Sequence, residues 1–419
     1  MRIGIWCAYG HTLEADEGIG VFTHALARGF ATLPGVTDVQ LAIHAGDEPL
    51  VRSTVTAGRG RIHVAELQRQ TWLDRWRWKL LRRRHRRLCD RLSAGPDDGL
   101  AARRDGVERA IDALFARQRL AEPPGTPPRD VWLLPHVAVE RPLATPTVVV
   151  VHDMVPLHFP GTIRAADLES FRRRAALLVQ EATLVGTMSR TIRDLDIVGM
   201  LGCPTAKVRV VPPAIPDDLQ TPADQAAVVA AVPAAARPFL LYPAAWRPYK
   251  NHAALIEALA FLRHSGHPEM QLIFTGFKPL PGELGRLASR LGVAGAVHAV
   301  GSVDRAVLAA LYRAAAVTVV PSLYEQGSFP VLEAIRCGCP AACSDIPALR
   351  EAFAGLGGTV PLFDPRSPGS LAATITTVLA DRDGVRDRQR AAVAALPPRT
   401  WSDVAADWLV VLREAAGRG

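Results

Sequence analysis

Val317-Thr318-Val319-Val320-Pro321-Ser322-Leu323-Tyr324-Glu325-Gln326-Gly327-Ser328-Phe329-Pro330-Val331-Leu332-Glu333 decides the fold of this chain. Val317, Val319 and Val320 form a short apolar β-branched run after an alanine-rich helical stretch, which suits a strand of a parallel sheet covered on both faces. Pro330 stands where a helix can begin, because its fixed φ suits the first helical position and its missing N–H costs nothing there. Val331, Leu332 and Ile335 give that helix an apolar face, and Gly338 with Pro340 stop it. The turn between strand and helix then lies at the carboxyl edge of the sheet. A helix N-terminus offers unpaired N–H groups and partial positive charge there, and a diphosphate fits such a place.

Two carboxylates bracket the turn, Glu325 and Glu333. Beside a phosphate a carboxylate is repelled unless hydroxyl groups donate to it, and sugar hydroxyls supply those donors. The spacing leaves open a plainer reading, with Glu333 a helix-favouring first-turn acid and Glu325 a solvated loop residue. At 419 residues the chain exceeds the size at which one core stops growing, so two domains are expected. Hydrophobic content of 49% with 21% charged residues is that of a globular enzyme and excludes a disordered tail. No apolar stretch is long enough to span a bilayer and no opening segment has the pattern of a secretory leader, so a cytoplasmic location is expected. The six cysteines show no paired C-x-x-C spacing, which favours small, reduced, buried residues over a metal site. No D-x-D signature stands near the turn, so neither a metal nor a cofactor is expected.

Toward the N-terminus, Arg2-Ile3-Gly4-Ile5-Trp6 reads as a first strand, followed by a loop ending Glu17-Gly18-Ile19-Gly20-Val21 and a helix over residues 22–31. Glycines at 18 and 20 let the backbone approach a ligand ahead of a helix N-terminus, or serve the turn itself. Thr147-Val148-Val149-Val150-Val151 delivers His152 and Asp153 to a second strand end, and Asp153-Met154-Val155-Pro156 does not continue it as a helix. Residues 182–188 make a further strand, with Ser189 as the N-cap of the helix after it. Val208-Arg209-Val210-Val211, stopped by Pro212 and Pro213, closes the first domain, and the Pro- and Ala-rich residues 233–237 read as a linker.

A basic insertion interrupts the first domain. Residues 69–92 hold ten Lys or Arg against two acids, a net of +8, which equals the formal charge of the whole chain. Trp72, Trp76 and Trp78 lie within it, and Leu73, Trp76 and Leu80 share one helical face. Three readings fit: a solvated helix packing its Trp side on the domain, docking on an anionic membrane surface, and nucleic-acid binding. The chain has no recognisable nucleic-acid fold, so no nucleic-acid partner is expected.

Phe239-Leu240-Leu241-Tyr242-Pro243 opens the second domain as a strand. Its loop, Ala244-Ala245-Trp246-Arg247-Pro248-Tyr249-Lys250-Asn251-His252, carries Arg247 and Lys250 just ahead of a helix with apolar Leu255, Ile256, Leu259 and Leu262. Cations there neutralise a departing diphosphate, or simply face solvent. Residues 270–276 and 296–303 are two more strand ends bearing glycine, the first closing on Gly276 and the second passing Gly301 to reach Val303. Thr400-Trp401-Ser402-Asp403 has capping-box spacing, and Trp401, Val404, Ala405, Trp408, Val411 and Leu412 then share one side of a helix.

On these residues the chain resembles, over nearly its whole length, the retaining nucleotide-sugar glycosyltransferases of family four, whose fold is called GT-B. The family's E-x7-E pattern matches Glu325 and Glu333, and Cys337-Gly338-Cys339-Pro340 and Ser344-Asp345-Ile346-Pro347-Ala348-Leu349-Arg350-Glu351 are similar to its continuation. The resemblance implies an α/β, GT-B architecture of two Rossmann-like parallel-sheet domains facing a central cleft. The acceptor domain would occupy 1–215, the nucleotide-sugar domain 236–398, and a last helix, 399–419, would cross back to the first. It implies that Glu325 contacts the transferred sugar with His152 beside it, that Glu333 holds the nucleotide ribose, and that Gly20 approaches the donor diphosphate. Lys250 and Arg247 would neutralise that diphosphate, Gly276 and Val303 would belong to the wall along the base, and Gly327, Ser328 and Phe329 to the donor turn. The chain departs from the family at Gln326, Gly327 and Ser328, where many members carry glycines on both sides of an aromatic residue. The implied activity is a retaining, metal-independent transfer of a hexose-type sugar from a nucleoside-diphosphate sugar to a hydroxyl of a glycan, lipid-linked or small-molecule acceptor. It would proceed by front-face displacement without a protein nucleophile, in the cytoplasm or at the inner membrane surface. A sugar-nucleotide epimerase on the same fold, or a non-catalytic binding protein using the basic helix, are the other classes considered.

Overall fold

The computed structural model describes residues 1–7, 13, 18–44, 46–66, 72–92, 98–117, 127–137, 145–163, 165–214, 228, 230–276 and 279–417. The chain divides into two compact units, one of Met1–Ala214 with Thr400–Gly419, the other of Ile215–Arg399.

The first unit holds β1 (Arg2–Trp6), β2 (Asp38–Ile43), β3 (Ile62–Glu66), β4 (Val131–Leu134), β5 (Thr147–Val150), β6 (Leu184–Thr187) and β7 (Val208–Val210). They form one sheet in the order β3-β2-β1-β4-β5-β6-β7, and every pairing is parallel. Every residue of β4, β5 and β6 is buried, which is why these strands are written as near-continuous runs of Val and Leu without polar alternation. Strand order reverses between β1 and β4, where open α/β sheets part their connections and leave a crevice at the carboxyl ends.

The first four helices of this unit are α1 (Gly18–Thr32), α2 (Glu48–Ala57), α3 (Trp72–Leu92) and α4 (Asp98–Arg117). The glycine segment placed in a loop by sequence is the first turn of α1, with Gly20 buried. First-turn N–H groups have no intrahelical partner, so this turn stays open to an outside acceptor although the helix begins four residues before Phe22. Glu17 lies outside the described residues, as do Arg69 and the side chains of Trp72, Arg75, Trp78, Arg82 and Arg86. Met154 heads a single helical turn, Val155–His158, so the segment after His152 does turn helical, with Asp153 Oδ1 accepting from the Val155 N–H.

The last helix, Trp401–Gly417, belongs to this first unit. Thr400 and Asp403 cap it reciprocally: the Thr400 N–H donates to Asp403 Oδ2 at 2.7 Å and the Asp403 N–H to Thr400 Oγ1 at 3.2 Å. Gly29 of α1 faces the Ala405 methyl, and Gly186 of β6 makes room for the indole of Trp408. Trp408 is fully buried, edge-on to Phe22 with ring centroids 5.7 Å apart. Arg209 of β7 grips Glu414 with two donors, at 2.5 and 2.9 Å.

The second unit stacks β8 (Phe239–Pro243), β9 (Gln271–Thr275), β10 (Val297–Gly301), β11 (Val317–Val320), β12 (Ala341–Ser344) and β13 (Leu362–Phe363) in the order β10-β9-β8-β11-β12-β13, again wholly parallel. Order reverses between β8 and β11. Val228, Val232 and Ala235 are buried in this unit's core, so the segment expected to be a linker packs as its edge, with a 3-10 turn at Pro233–Ala236. Cys7, Cys203, Cys337, Cys339 and Cys343 are buried thiols. Among the described residues no helix is long and apolar enough to cross a membrane.

Candidate active site

In the second unit the two loops that leave the reversal point, with the helix after the second of them, carry the candidate residues Lys250, Glu325 and Glu333. After β8 the chain makes a 3-10 turn, Pro248–Lys250, and Asn251 adopts a left-handed φ of 57° before the helix His252–His264. After β11 it runs through Pro321 to the helix Phe329–Arg336, with Ser328 at the N-cap position and Pro330 as the second helical residue. The Leu323 N–H donates to Tyr249 O at 2.7 Å, joining one loop to the other. Asn251 Nδ2 donates to Pro321 O at 3.0 Å and to Pro365 O at 2.8 Å, two backbone bonds that hold its side chain in place and offset the cost of a left-handed non-glycine residue.

On this frame Lys250 Nζ meets Glu325 Oε1 at 2.5 Å. The same oxygen accepts from Ser322 Oγ at 2.7 Å, and Ser322 Oγ is 3.0 Å from the Tyr242 hydroxyl, which itself donates to Lys250 O at 3.2 Å. Ser322 is fully buried and the Glu325 side chain keeps 10% of its exposure. Burial, with the Glu325 charge beside it, raises the Tyr242 pKa well above the phenol range, so the hydroxyl keeps its proton and remains a donor. Sequence singled out Lys250 and Glu325 but not the Tyr242–Ser322 support beneath them. Its only signal was a Tyr and a Ser interrupting apolar strand ends.

Glu333 is the fifth residue of its helix, past the first turn, and buried, which sets aside the plainer reading of it as a helix-favouring first-turn acid. The Tyr312 hydroxyl donates to its Oε2 at 2.8 Å, and Arg305 Nη2 stands 3.4 Å from Oε1. Tyr312 is fully buried, and burial followed by the Glu333 charge pushes its pKa well up, so it too holds its proton as a donor. Gln326 Oε1 and Ser328 Oγ are buried with no hydrogen-bond partner among the described residues. An unsatisfied buried polar atom costs about 1–3 kcal/mol, and these two stand two residues apart in the turn that ends at the helix N-terminus. A Cβ on Gly327 would meet nothing within 4 Å, so its glycine is not demanded by the protein's own packing. Gly276, by contrast, has φ 125° and its would-be Cβ falls 2.9 Å from Ala244 O. Its glycine keeps the β9 end against the β8 loop. Val303 lies beyond the end of β10, partly buried on the core, Phe329 is half-buried, and Arg247 is exposed at the head of the 3-10 turn.

In the first unit His152 follows β5 and is buried. Its Nε2 lies 2.9 Å from Pro135 O, an acceptor only, so Nε2 carries the proton and Nδ1 is left as the acceptor. Burial, assisted by the nearby His136, pulls its pKa down to about 3. Phe22 of α1 packs edge-on against the imidazole at 4.9 Å. Ser189 is an N-cap, accepting from the Ile192 N–H at 3.1 Å.

Two parallel-sheet Rossmann-like units make a GT-B fold, and in the second the Lys250–Glu325 pair stands on the loops that follow the strands at the order reversal. The chain carries the corresponding domain: residues 230–395 match the family described as glycosyl transferases group 1. The chain is 32% identical over 176 residues to MMP alpha-(1->4)-mannosyltransferase of Mycolicibacterium hassiacum, covering 41% of each chain. It is 32% identical over 248 residues to D-inositol 3-phosphate glycosyltransferase 2 of Catenulispora acidiphila, covering 55% of this chain and 57% of that one. The chain thus spans about half the length of the curated relatives it matches. In fold it is similar to Anabaena HepE, solved in complex with UDP and glucose, with a TM-score of 0.66 at 16% identity over 99% of this chain and 100% of that one.

Proposed function

We propose that this protein is a retaining glycosyltransferase that moves a hexose-type sugar from a nucleoside-diphosphate sugar to a hydroxyl of a glycan, lipid-linked or small-molecule acceptor. The observation that carries the reading is the Lys250–Glu325 pair, held at 2.5 Å on a hydrogen-bonded frame where the second sheet reverses its strand order. Lys250 supplies positive charge where a departing diphosphate gathers negative charge, and the Phe329–Arg336 helix N-terminus adds backbone N–H donors. Glu325 accepts from hydroxyls of the transferred sugar. Glu333, fixed by Tyr312 and Arg305, keeps lone pairs for the ribose. His152 acts from the first unit as a neutral hydrogen-bonding group, and the first turn of α1 lends N–H groups to the diphosphate.

In this mechanism the nucleoside diphosphate leaves and the acceptor arrives on the same face of the sugar. The anomeric carbon–phosphate oxygen bond breaks as the acceptor oxygen bonds to that carbon, and the acceptor proton passes to the leaving phosphate oxygen. No protein nucleophile takes part, and the cationic groups do the work that a metal would otherwise do. The names of the relatives, a mannosyltransferase and an inositol-phosphate glycosyltransferase, and the UDP and glucose bound to HepE support a sugar-nucleotide donor. The cytoplasm, facing a membrane, is the proposed place of work.

A thermal-shift screen of UDP-, GDP- and ADP-sugars tests donor binding without needing an acceptor, and one of them should raise the unfolding temperature. Turnover of that donor should survive EDTA and fall in Glu325→Ala and Lys250→Ala. Wild-type turnover from both variants would sink the site assignment. Release of a free epimer in place of a linked sugar would overturn the reaction type.

A further inference from the structure

Helix α3 is anchored along one side. His85 Nε2 meets Glu108 Oε1 of α4 at 2.8 Å, both buried, and Arg173 Nη1 meets Glu108 Oε2 at 2.7 Å. Buried Leu88 packs with Val107, and partly buried Leu81 and Leu100 complete this small core. Positions 81, 85 and 88 therefore mark the inner face.

The outer face has a division along its length. Leu73, Trp76 and Leu80, spaced to share that face, are 44%, 57% and 52% exposed. One heptad further on, arginine takes the place of two of these apolar residues: Arg83 stands below Trp76, and Arg87 below Leu80. Arg77, Arg84 and Arg91 repeat the same period beside them, and all five arginines are exposed. Over roughly 27 Å of helix the outer face passes from apolar with tryptophan to cationic.

We propose that this face docks the protein on an anionic lipid surface. Leu73, Trp76 and Leu80 enter the headgroup–acyl boundary, and the arginine half meets phosphate headgroups. Charge complementarity selects the occupant, because residues 69–92 carry the chain's whole net charge of +8 and would repel a second copy of themselves. A nucleic acid would be met by repeated π-faces and cations along the full stripe, whereas Leu73, Trp76 and Leu80 offer one indole between two leucines, a pattern that suits the headgroup–acyl boundary better than a run of bases. The docking is independent of the proposed sugar chemistry.

Flotation of the full chain with phosphatidylcholine vesicles, with and without phosphatidylserine, tests it. Binding is expected only with phosphatidylserine and should weaken with salt. Arginines near such a surface contribute about fivefold each, so Arg83→Ser, Arg84→Ser and Arg87→Ser together should lower partitioning about a hundredfold. Leu73→Ser, Trp76→Ser and Leu80→Ser together should lower it at least about tenfold, as buried apolar area is lost. If either combined variant loses the wild-type unfolding transition, Arg84→Ser and Trp76→Ser singly replace them, with about fivefold expected for the arginine. Equal flotation with neutral vesicles, no flotation at all, or binding unchanged by the apolar substitutions would overturn the proposal. The last result, with heparin or RNA displacing the protein, would reassign the face to a soluble polyanion. The unfolding-temperature rise with nucleotide sugars should be the same in every variant, which separates this test from that of the catalytic reading.

Discussion

Lys250→Ala removes one half of the pair on which the functional reading stands, and the geometry sets its cost. In the native site Glu325 Oε1 receives Lys250 at 2.5 Å and Ser322 at 2.7 Å; truncation leaves that oxygen with Ser322 as its one partner among the described residues while only a tenth of the side chain is exposed. Breaking a fully buried pair costs about 3–5 kcal/mol, and because the Lys250 side chain keeps 22% exposure, water screens part of this and about 2 kcal/mol is expected. Catalysis should suffer separately. Loss of one charge-stabilising donor at a reacting centre lowers kcat about 100- to 1000-fold. Adding Glu325→Gln to Lys250→Ala removes the stranded charge and should restore part of the stability without restoring turnover. Denaturant unfolding gives the first quantity, and kcat at saturating donor gives the second. A Lys250→Ala protein that is destabilised but turns over like wild type would show the pair to be structural and refute the reasoning.

Gly327→Ala should leave stability within about 0.5 kcal/mol, since its Cβ meets nothing, yet raise donor KM if a ligand passes there; unchanged KM removes Gly327 from the site. Tyr312→Phe removes a buried donor from Glu333 Oε2 and should cost about 1–3 kcal/mol, with nucleotide-sugar affinity by calorimetry falling more than kcat. His152 and His252 are held neutral in the native state, with pKa values pulled from 6.5 down to about 3 and about 4, mainly by burial. The unfolded chain binds these protons below about pH 6.5, so stability is full above that pH and falls on acidification, by up to about 1.4 kcal/mol per pH unit for each histidine. His152→Gln should flatten the acid limb of the first unit's unfolding, and an unchanged slope would show that another group sets it.

What could be read from sequence was what repeats locally. β8 matches its five-residue apolar run residue for residue, because a strand buried on both faces is written as an unbroken apolar stretch. The capping box at Thr400 and the N-cap at Ser189 were legible because their partners lie three residues away. The start of α1 was not, since glycines in a first helical turn look the same as glycines in a loop when no N–H there makes an intrahelical bond. Glu333's partners, Tyr312 and Arg305, lie 21 and 28 residues upstream on another helix, and only packing decides which of that helix's side chains turn inward. The same holds for Trp76, whose periodicity gave a shared face with Leu73 and Leu80 but not which way that face points.

The C-terminal helix gives the chain an order of assembly. Trp408 fills the space left by Gly186, and Ala405 fits against Gly29, so the first unit's core lacks its plug until residues 401–417 exist. During synthesis the second unit, residues 215–399, has all its strands before that happens. The unit begun first is therefore finished last, and its unsealed apolar sheet must wait through the making of the whole second unit. A chain cut before residue 400 should keep a folded second unit beside a first unit that aggregates, even though the removed piece carries none of the candidate catalytic residues.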